Sequence, residues 1–170
     1  MRALAVAGAL AALVLGAGWK EFDDPVHGLV VRYPGDWHRA KTSLTPNLAD
    51  PREILAVGTG RMARHGPGCA HMPVGALNAL RPGDVLITVL ERRHPGGSYP
   101  PRRPLHLRRG GDLTEATTCA ANRHIQAWWR PFSDEGRAFY VLVAAGDRVS
   151  GARLREAERI VDGIRFREGG

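Results

Sequence analysis

Apolar residues recur with the two-residue period of strands over most of the chain and with a helical period near its C-terminus. Five stretches have the alternation or the short apolar runs of β-strands: residues 28–33, 53–59, 85–90, 124–130 and 137–144. Pro34 and Gly35 end the first stretch, because proline donates no hydrogen bond to a β-ladder. The last two stretches, with loop 131–136 between them, predict an antiparallel hairpin.

Two helices are predicted, one in the middle of the chain and one at its end. Pro73 favours a short helix over residues 74–80, because the missing N–H of proline costs nothing in a first turn. Ser150 is a natural N-cap, and the apolar residues after it fall on one helical face: Leu154, Ala157, Ile160, Val161 and Ile164. Gly163 is expected to end this helix in a left-handed conformation, before a short strand over residues 164–166. The predicted fold class is therefore α+β, an antiparallel β-sheet flanked by helices.

The chain begins with MRALAVAGALAALVLGAG, in which one arginine precedes an unbroken apolar run that ends in small residues. That order is typical of a secretory signal. The run is slightly short for a membrane span, but Trp19 at an interface would allow a retained anchor. We therefore predict a signal peptide or N-terminal membrane anchor over residues 1–18 and a single domain over residues 19–168. The expected location is extracellular, or membrane-tethered and facing outside; the alternative is a cytosolic protein with a buried N-terminal helix.

Predicted export determines the expected redox state of the only two cysteines, Cys69 and Cys119. In an oxidising compartment we expect them to form a disulfide. Two alternatives use them as thiols. With His71 and His124 they have the chemistry of a zinc site, although C-x-H and C-x4-H are not usual ligand spacings. Cys119 could also be the nucleophile of a hydrolase or transferase, with His124 or His71 as its base.

The chain is basic, with a formal net charge of +7. Much of this charge lies in a segment over residues 91–111, predicted to be a surface loop or an extended sheet edge, in three arginine pairs: Arg92, Arg93, Arg102, Arg103, Arg108 and Arg109. Arginine binds phosphate and carboxylate bidentately, and the prolines of this segment would stiffen it. We therefore regard these arginines as candidate anion-binding residues for an anionic lipid, wall polymer or envelope protein. The alternative is a solvated loop whose arginines reflect a G+C-rich coding sequence.

Other chemistry is poorly supported by the sequence. The aromatic residues near the arginines are not regularly interleaved with them, so nucleic acid is not an expected partner. No serine lies in a G-x-S-x-G motif, and no glycine-rich phosphate loop is present, so no catalytic residue and no cofactor is predicted. Trp128 and Trp129 are adjacent on a predicted strand, so their rings point to opposite faces of the sheet. One ring is expected in the core, and the other either covers the sheet beneath a helix or lies exposed in a ligand groove.

Three stretches carry a resemblance to known families. FDDPVHGLVVRYPGDW and the closing GRAFYVLVAAGDRVSGARLREAERIVDGIRF resemble the opening and the end of the PsbP-like domain. PVGALNALRPGDVLITVLER, followed by YPPRRP, resembles a group of actinobacterial exported or membrane-tethered proteins. The resemblance implies a PsbP-like sandwich and an accessory role, and it transfers no functional residue. The expected function is an exported cell-envelope accessory or binding module without catalytic activity.

Overall fold

The computed structural model describes residues 18–64, 69, 71–112 and 118–167. Apart from Gly18, the predicted leader over residues 1–18 lies outside the described residues. Among the residues that the structure describes, no helix has the length and apolar character needed to cross a membrane.

The centre of the fold is a five-stranded antiparallel sheet, and a three-stranded antiparallel sheet packs against one of its faces. The strands are β1 (Trp19–Asp24), β2 (Leu29–Pro34), β3 (His38–Arg39), β4 (Arg52–Gly58), β5 (Val85–Arg92), β6 (Ile125–Asp134), β7 (Arg137–Gly146) and β8 (Arg165–Phe166). The order in the central sheet is β3-β4-β5-β7-β6, and in the smaller sheet it is β1-β2-β8. β6 is therefore an edge strand, while β5 and β7 lie inside the sheet.

Two helices of the described residues cover opposite faces of the central sheet. Helix α2 (Gly151–Asp162) and the smaller sheet close a large core that contains Trp128 and Phe139. Helix α1 (Val74–Ala79) closes a second cluster on the other face, together with the cysteines. The mixed fold with antiparallel sheets is as predicted, although helical cover is slight because α1 has six residues.

The ends of helix α2 agree with the sequence prediction at one terminus only. Ser150 is the N-cap, and its hydroxyl accepts a hydrogen bond from the Arg153 backbone N–H at 3.2 Å. Gly163 was expected to be left-handed, but its φ is −84°. Its N–H donates to Arg159 O at 3.0 Å, and an added Cβ would lie 2.9 Å from that oxygen. Lack of space for a side chain, rather than a positive φ, therefore explains glycine at this position.

The predicted loop 131–136 is wrong in extent. β6 continues through Pro131 to Asp134, and the turn has only two residues, Glu135 and Gly136, with φ values of 48° and 70°. Left-handed residues at both positions match the right-handed twist of the flanking strands. Pro131 is tolerated inside a strand because an edge strand needs no ladder donor on its outer side.

Residues 99–112, here called the strap, run along the open edge of β6. Arg102 N donates to Ser133 O at 3.1 Å, and Asp112 N donates to Ala127 O at 2.8 Å. Between these points the strap reaches α2, where Leu105 N donates to the Asp162 carboxylate at 2.9 Å. Leu105 is buried in the large core. The strap is therefore an ordered edge element, the second of the two forms predicted for residues 91–111, while Glu91 and Arg92 of that range belong to β5.

Candidate functional site

The structure separates the six candidate arginines into three places. Arg92 and Arg93 lie at the end of β5, Arg102 and Arg103 on the first half of the strap, and Arg108 and Arg109 near its far end beside Trp128. Arg93, Arg103, Arg108 and Arg109 are exposed, and none of their side chains forms an ion pair within the described part of the chain. No single anion-binding surface along the whole segment is therefore formed.

Arg102 is used internally. Its guanidinium donates to the Asp134 carboxylate at 2.9 Å, to Ile164 O at 2.6 Å, and to Val161 O. Val161 O lies in the last turn of α2, where backbone acceptors lack partners within the helix, and Ile164 O lies two residues beyond the helix end. Arg102 thus holds the strap, the hairpin and the helix end together.

Arg92 and Arg93 contribute to a second arrangement, here called the basic cleft. This depression of about 620 Å³ is lined by charged residues from β4, β5 and β7 and from the turn after β5: Arg52, Glu91, Arg92, Arg93, His94 and Arg137. Val26, Pro95, Gly136 and Ala138 complete the lining. Arginine side chains thus outnumber carboxylates in it by four to one.

Glu91 fixes two of these arginines at the floor of the basic cleft. Arg52 donates from Nε and Nη2 to Glu91 Oε2, at 2.9 and 2.7 Å. Arg137 Nε donates to Oε1 of the same carboxylate at 2.7 Å. Burial by itself would raise the pKa of Glu91, but hydrogen bonds from Arg137 and Arg52, together with their charges, hold that pKa below its ordinary value. One carboxylate therefore faces two guanidinium groups.

The positive charge of the cleft is only partly balanced. Asp50, behind the lining, lies 3.4 Å from Arg92 Nε, but that nitrogen makes no hydrogen bond. Arg137 Nη1 is also buried without a hydrogen-bond partner, while its Nη2 donates to His27 O at 2.9 Å. The arginines exceed Glu91 and Asp50 in number, and Arg93 is exposed at the rim. The cleft therefore carries a surplus of positive charge close to solvent.

The thiol chemistry considered as an alternative is absent from this oxidised form. Cys69 and Cys119 are joined by a disulfide, the predicted pairing, with their Cα atoms 5.9 Å apart. Neither sulfur is then a thiolate, which a nucleophile or a zinc ligand would require. His124 is exposed, and its Nδ1 lies 3.2 Å from Asp147 Oδ2. Within the described residues no three His, Cys, Asp or Glu side chains are grouped as metal ligands, so the proposed zinc set does not come together.

The adjacent tryptophans lie on opposite faces of β6. Trp128 is buried in the large core, and its Nε1 donates to Arg108 O at 3.0 Å. Trp129 is half-buried and stacks on His71 and Tyr140, with ring centroids 4.6 and 4.8 Å away. Tyr140 Oη lies 2.5 Å from Tyr99 Oη, and burial followed by this hydrogen bond raises the pKa of Tyr99 to about 12. Trp129 thus joins an aromatic cluster that anchors the start of the strap.

Arg52 and Arg137 were not predicted as site residues from the sequence. They lie 39 and 46 residues from Glu91, and only the strand register brings them beside it. A signal was present, since Arg52, Glu91 and Arg137 each stand at the end of a strand where a charge interrupts an apolar pattern. Without the pairing of β4, β5 and β7, nothing connects the three positions.

Comparison with known proteins gives no relative from which a function could be transferred. No protein-family model, curated protein or solved structure matches the chain. The function is therefore inferred from geometry and charge.

Proposed function

We propose that this protein is an exported, non-catalytic binding module of the cell envelope that holds an anionic group in the basic cleft. The observation that carries the proposal is the lining itself, which contains four arginines and a single carboxylate, that of Glu91. A phosphate or carboxylate would offset the surplus charge and accept paired hydrogen bonds from guanidinium groups. We assign this group to an acidic polymer of the envelope.

Two features support a location outside the cytoplasm. The apolar N-terminal run after Arg2 has the order of a secretory signal. The Cys69–Cys119 disulfide is typical of proteins in oxidising compartments. Both fit a protein that meets its partner outside the cytoplasm, either released or held by its N-terminal segment.

A PsbP-like architecture is part of the same proposal. It is supported by an antiparallel sheet with a helix of the described chain on each face and by a C-terminal helix that runs into a short last strand. Tyr33, Pro34 and Trp37 form the turn that carries the resemblance, with Trp37 N donating to Pro34 O at 3.0 Å. These residues stabilise a turn, so the architecture supplies a scaffold and not a reaction.

Arg93→Gln provides the sharpest test, because Arg93 is exposed and its side chain holds nothing else in the described structure. Titration calorimetry with inorganic phosphate and a short polyphosphate should show binding that weakens about three- to tenfold in this variant. Affinity for polyphosphate should also fall steeply with added salt. Arg137→Gln is a poor probe, because it would leave Glu91 buried with one partner fewer.

Arg148→Gln is the matched control. Arg148 is equally exposed but follows β7 at the end opposite the cleft, so this variant removes the same charge from another place. It should bind polyphosphate like the wild type. Equal losses in both variants would mean that only net charge matters, and salt-independent binding would contradict the proposal. Binding to phosphatidylglycerol vesicles but not to polyphosphate would assign the partner to a membrane surface.

A further inference from the structure

A separate cavity of about 400 Å³ lies between the strap and β6. Phe132, Val141 and Val161 line its inner side, and all three are buried members of the large core. Leu105 and prolines of the strap line its outer side. The volume falls within the roughly 300–1,000 Å³ typical of small-molecule sites. It shares no lining residue with the basic cleft.

The cavity exists because a charged residue occupies a core-facing position of β6. Side chains alternate along a strand, so residues 128, 130 and 132 point to the same face. Trp128 and Phe132 are buried there, but the Arg130 side chain between them is 45% exposed. Arg130 turns outward, where it pairs with Asp112 and donates to Trp129 O at 2.9 Å. The space that an apolar side chain would fill is left open beneath the strap.

The charged side chains that line this cavity are all basic, although Asp112 pairs with Arg130 and Asp134 with Arg102 just outside the lining. Arg103, Arg130 and His106 belong to its lining and are exposed, and no carboxylate does. Arg103 has no ion pair among the described residues, so its five donor hydrogens are available to a ligand. Arg102 also lines the cavity, but it is already committed to Asp134 and α2. An apolar interior with a cationic margin complements a ligand with an apolar chain and an anionic end.

The strap is held in place on both sides of the cavity. Ser133 N donates to Pro100 O at 2.8 Å on one side, and Leu107 N donates to the Glu158 carboxylate at 2.7 Å on the other. Pro100, Pro101 and Pro104 restrict the backbone between these points. Binding therefore requires little ordering of the protein, which reduces the entropic cost of association.

We infer that this cavity binds a single-chain anionic amphiphile. The hydrocarbon chain would lie against Phe132, Val141 and Val161, where burial of apolar surface is favourable. The carboxylate or phosphate head would remain at the margin and accept hydrogen bonds from Arg103, and it would share Arg130 with Asp112. The site is independent of the basic cleft, so either can fail without the other.

The test compares three probes with the same ten-carbon chain and different heads: decanoate, decyl phosphate and decanol. Titration calorimetry below the micelle concentration should show one decanoate or decyl phosphate per chain, and decanol should bind about tenfold more weakly or worse. The ratio between decanoate and decyl phosphate identifies which head the site prefers. Equal affinity for decanol and decanoate would overturn the inference, and so would the absence of binding by all three probes.

Arg103→Gln and Arg130→Gln locate the head. Each should weaken decanoate about three- to tenfold and leave decanol unchanged, because the apolar contacts remain. Arg148→Gln should bind decanoate like the wild type. Unchanged decanoate affinity in both cavity variants would overturn the inference.

Val161→Phe locates the chain, because the larger ring would occupy the cavity from the α2 side. Decanoate and decanol should both lose binding in this variant, while the polyphosphate affinity of the basic cleft should be kept. Retained decanoate binding in a folded Val161→Phe protein would contradict the inference. If overpacking prevents this variant from folding, as a thermal melt would show, the two arginine variants decide the matter alone.

Discussion

Glu91 is a residue whose role depends entirely on its two partners. Its carboxylate is 8% exposed and lies between Arg52 and Arg137. A buried ion pair adds little net stability by itself, because both charges lose water, but loss of one partner leaves the other uncompensated. Loss of the Glu91 charge would leave two guanidinium groups, those of Arg52 and Arg137, close together without a counter-charge.

We expect Glu91→Gln to lower the free energy of unfolding by about 2–4 kcal/mol at pH 7, measured by urea denaturation. The pKa of Glu91 is held below the ordinary 4.5, so its contribution to stability is complete above that pH and is lost as the pH falls through the folded-state pKa. The difference between wild type and variant should therefore shrink in acid. Exposed Glu135→Gln should change stability by less than about 0.5 kcal/mol. A difference that stays constant with pH would contradict this account.

At the scale of elements, the strap shows how two adjacent arginines can have different functions. Arg102 is 20% exposed and donates to Val161 O in the last turn of α2 and to Ile164 O just after the helix. Arg103 makes none of these contacts and is exposed. The sequence presents both as one basic pair, and only their packing distinguishes a structural clamp from a ligand contact.

Arg102→Gln should therefore destabilise the protein by about 2–3 kcal/mol, because it leaves Val161 O, Ile164 O and Asp134 without a charged donor. Arg103→Gln is the matched control and should change stability by less than about 0.5 kcal/mol. Thermal or urea unfolding of the two variants measures the difference. Equal stability of the two would show that Arg102 does not hold the strap on the helix.

The elements that could be predicted from the sequence are those with a strong local period. β2, β5 and α2 match their predicted ranges closely, because apolar spacing alone specifies them. β1 was not predicted: only Phe22 and Asp24 are partly buried, and the others are exposed, so no apolar face shows in its sequence. The hairpin turn was predicted too early in the chain because proline normally ends a central strand. β6 is an edge strand, where Pro131 is tolerated.

The candidate sites could be predicted only in part, because some of their residues lie on strands that are distant in the sequence. The arginine pairs of the segment are visible in the sequence, and Arg92 and Arg93 do line the basic cleft. The residues that complete each site come from other strands: Arg52 and Arg137 in the cleft, and Arg130 beside the cavity. The sequence does show that Arg130 is a charged residue between two aromatic core residues on one face of a strand. Whether that position lines a cavity depends on the path of the strap, which the sequence does not show.

For the molecule as a whole, the disulfide and the predicted leader both bear on the compartment in which the protein folds. The bond joins residues 50 apart, and closing a loop of that length stabilises the fold by about 4 kcal/mol in the chain-entropy model. This contribution is available only where thiols are oxidised. A protein kept in a reducing cytoplasm would lose it, and with it the closure of the loop between Cys69 and Cys119.

Intact mass spectrometry on protein recovered from the envelope or the medium tests both features in one sample. Alkylation without reduction should add no mass, and alkylation after reduction should add two groups, one on Cys69 and one on Cys119. The mature chain should begin near Trp19 if the leader is cleaved, or at Met1 if it is kept as an anchor in the membrane fraction. Two thiols alkylated before reduction, on an uncut chain from the cytoplasm, would contradict export. Cys119 and His124 would then again be candidates for a reactive nucleophile–base pair. The proposal of a binding module with an envelope partner would be contradicted.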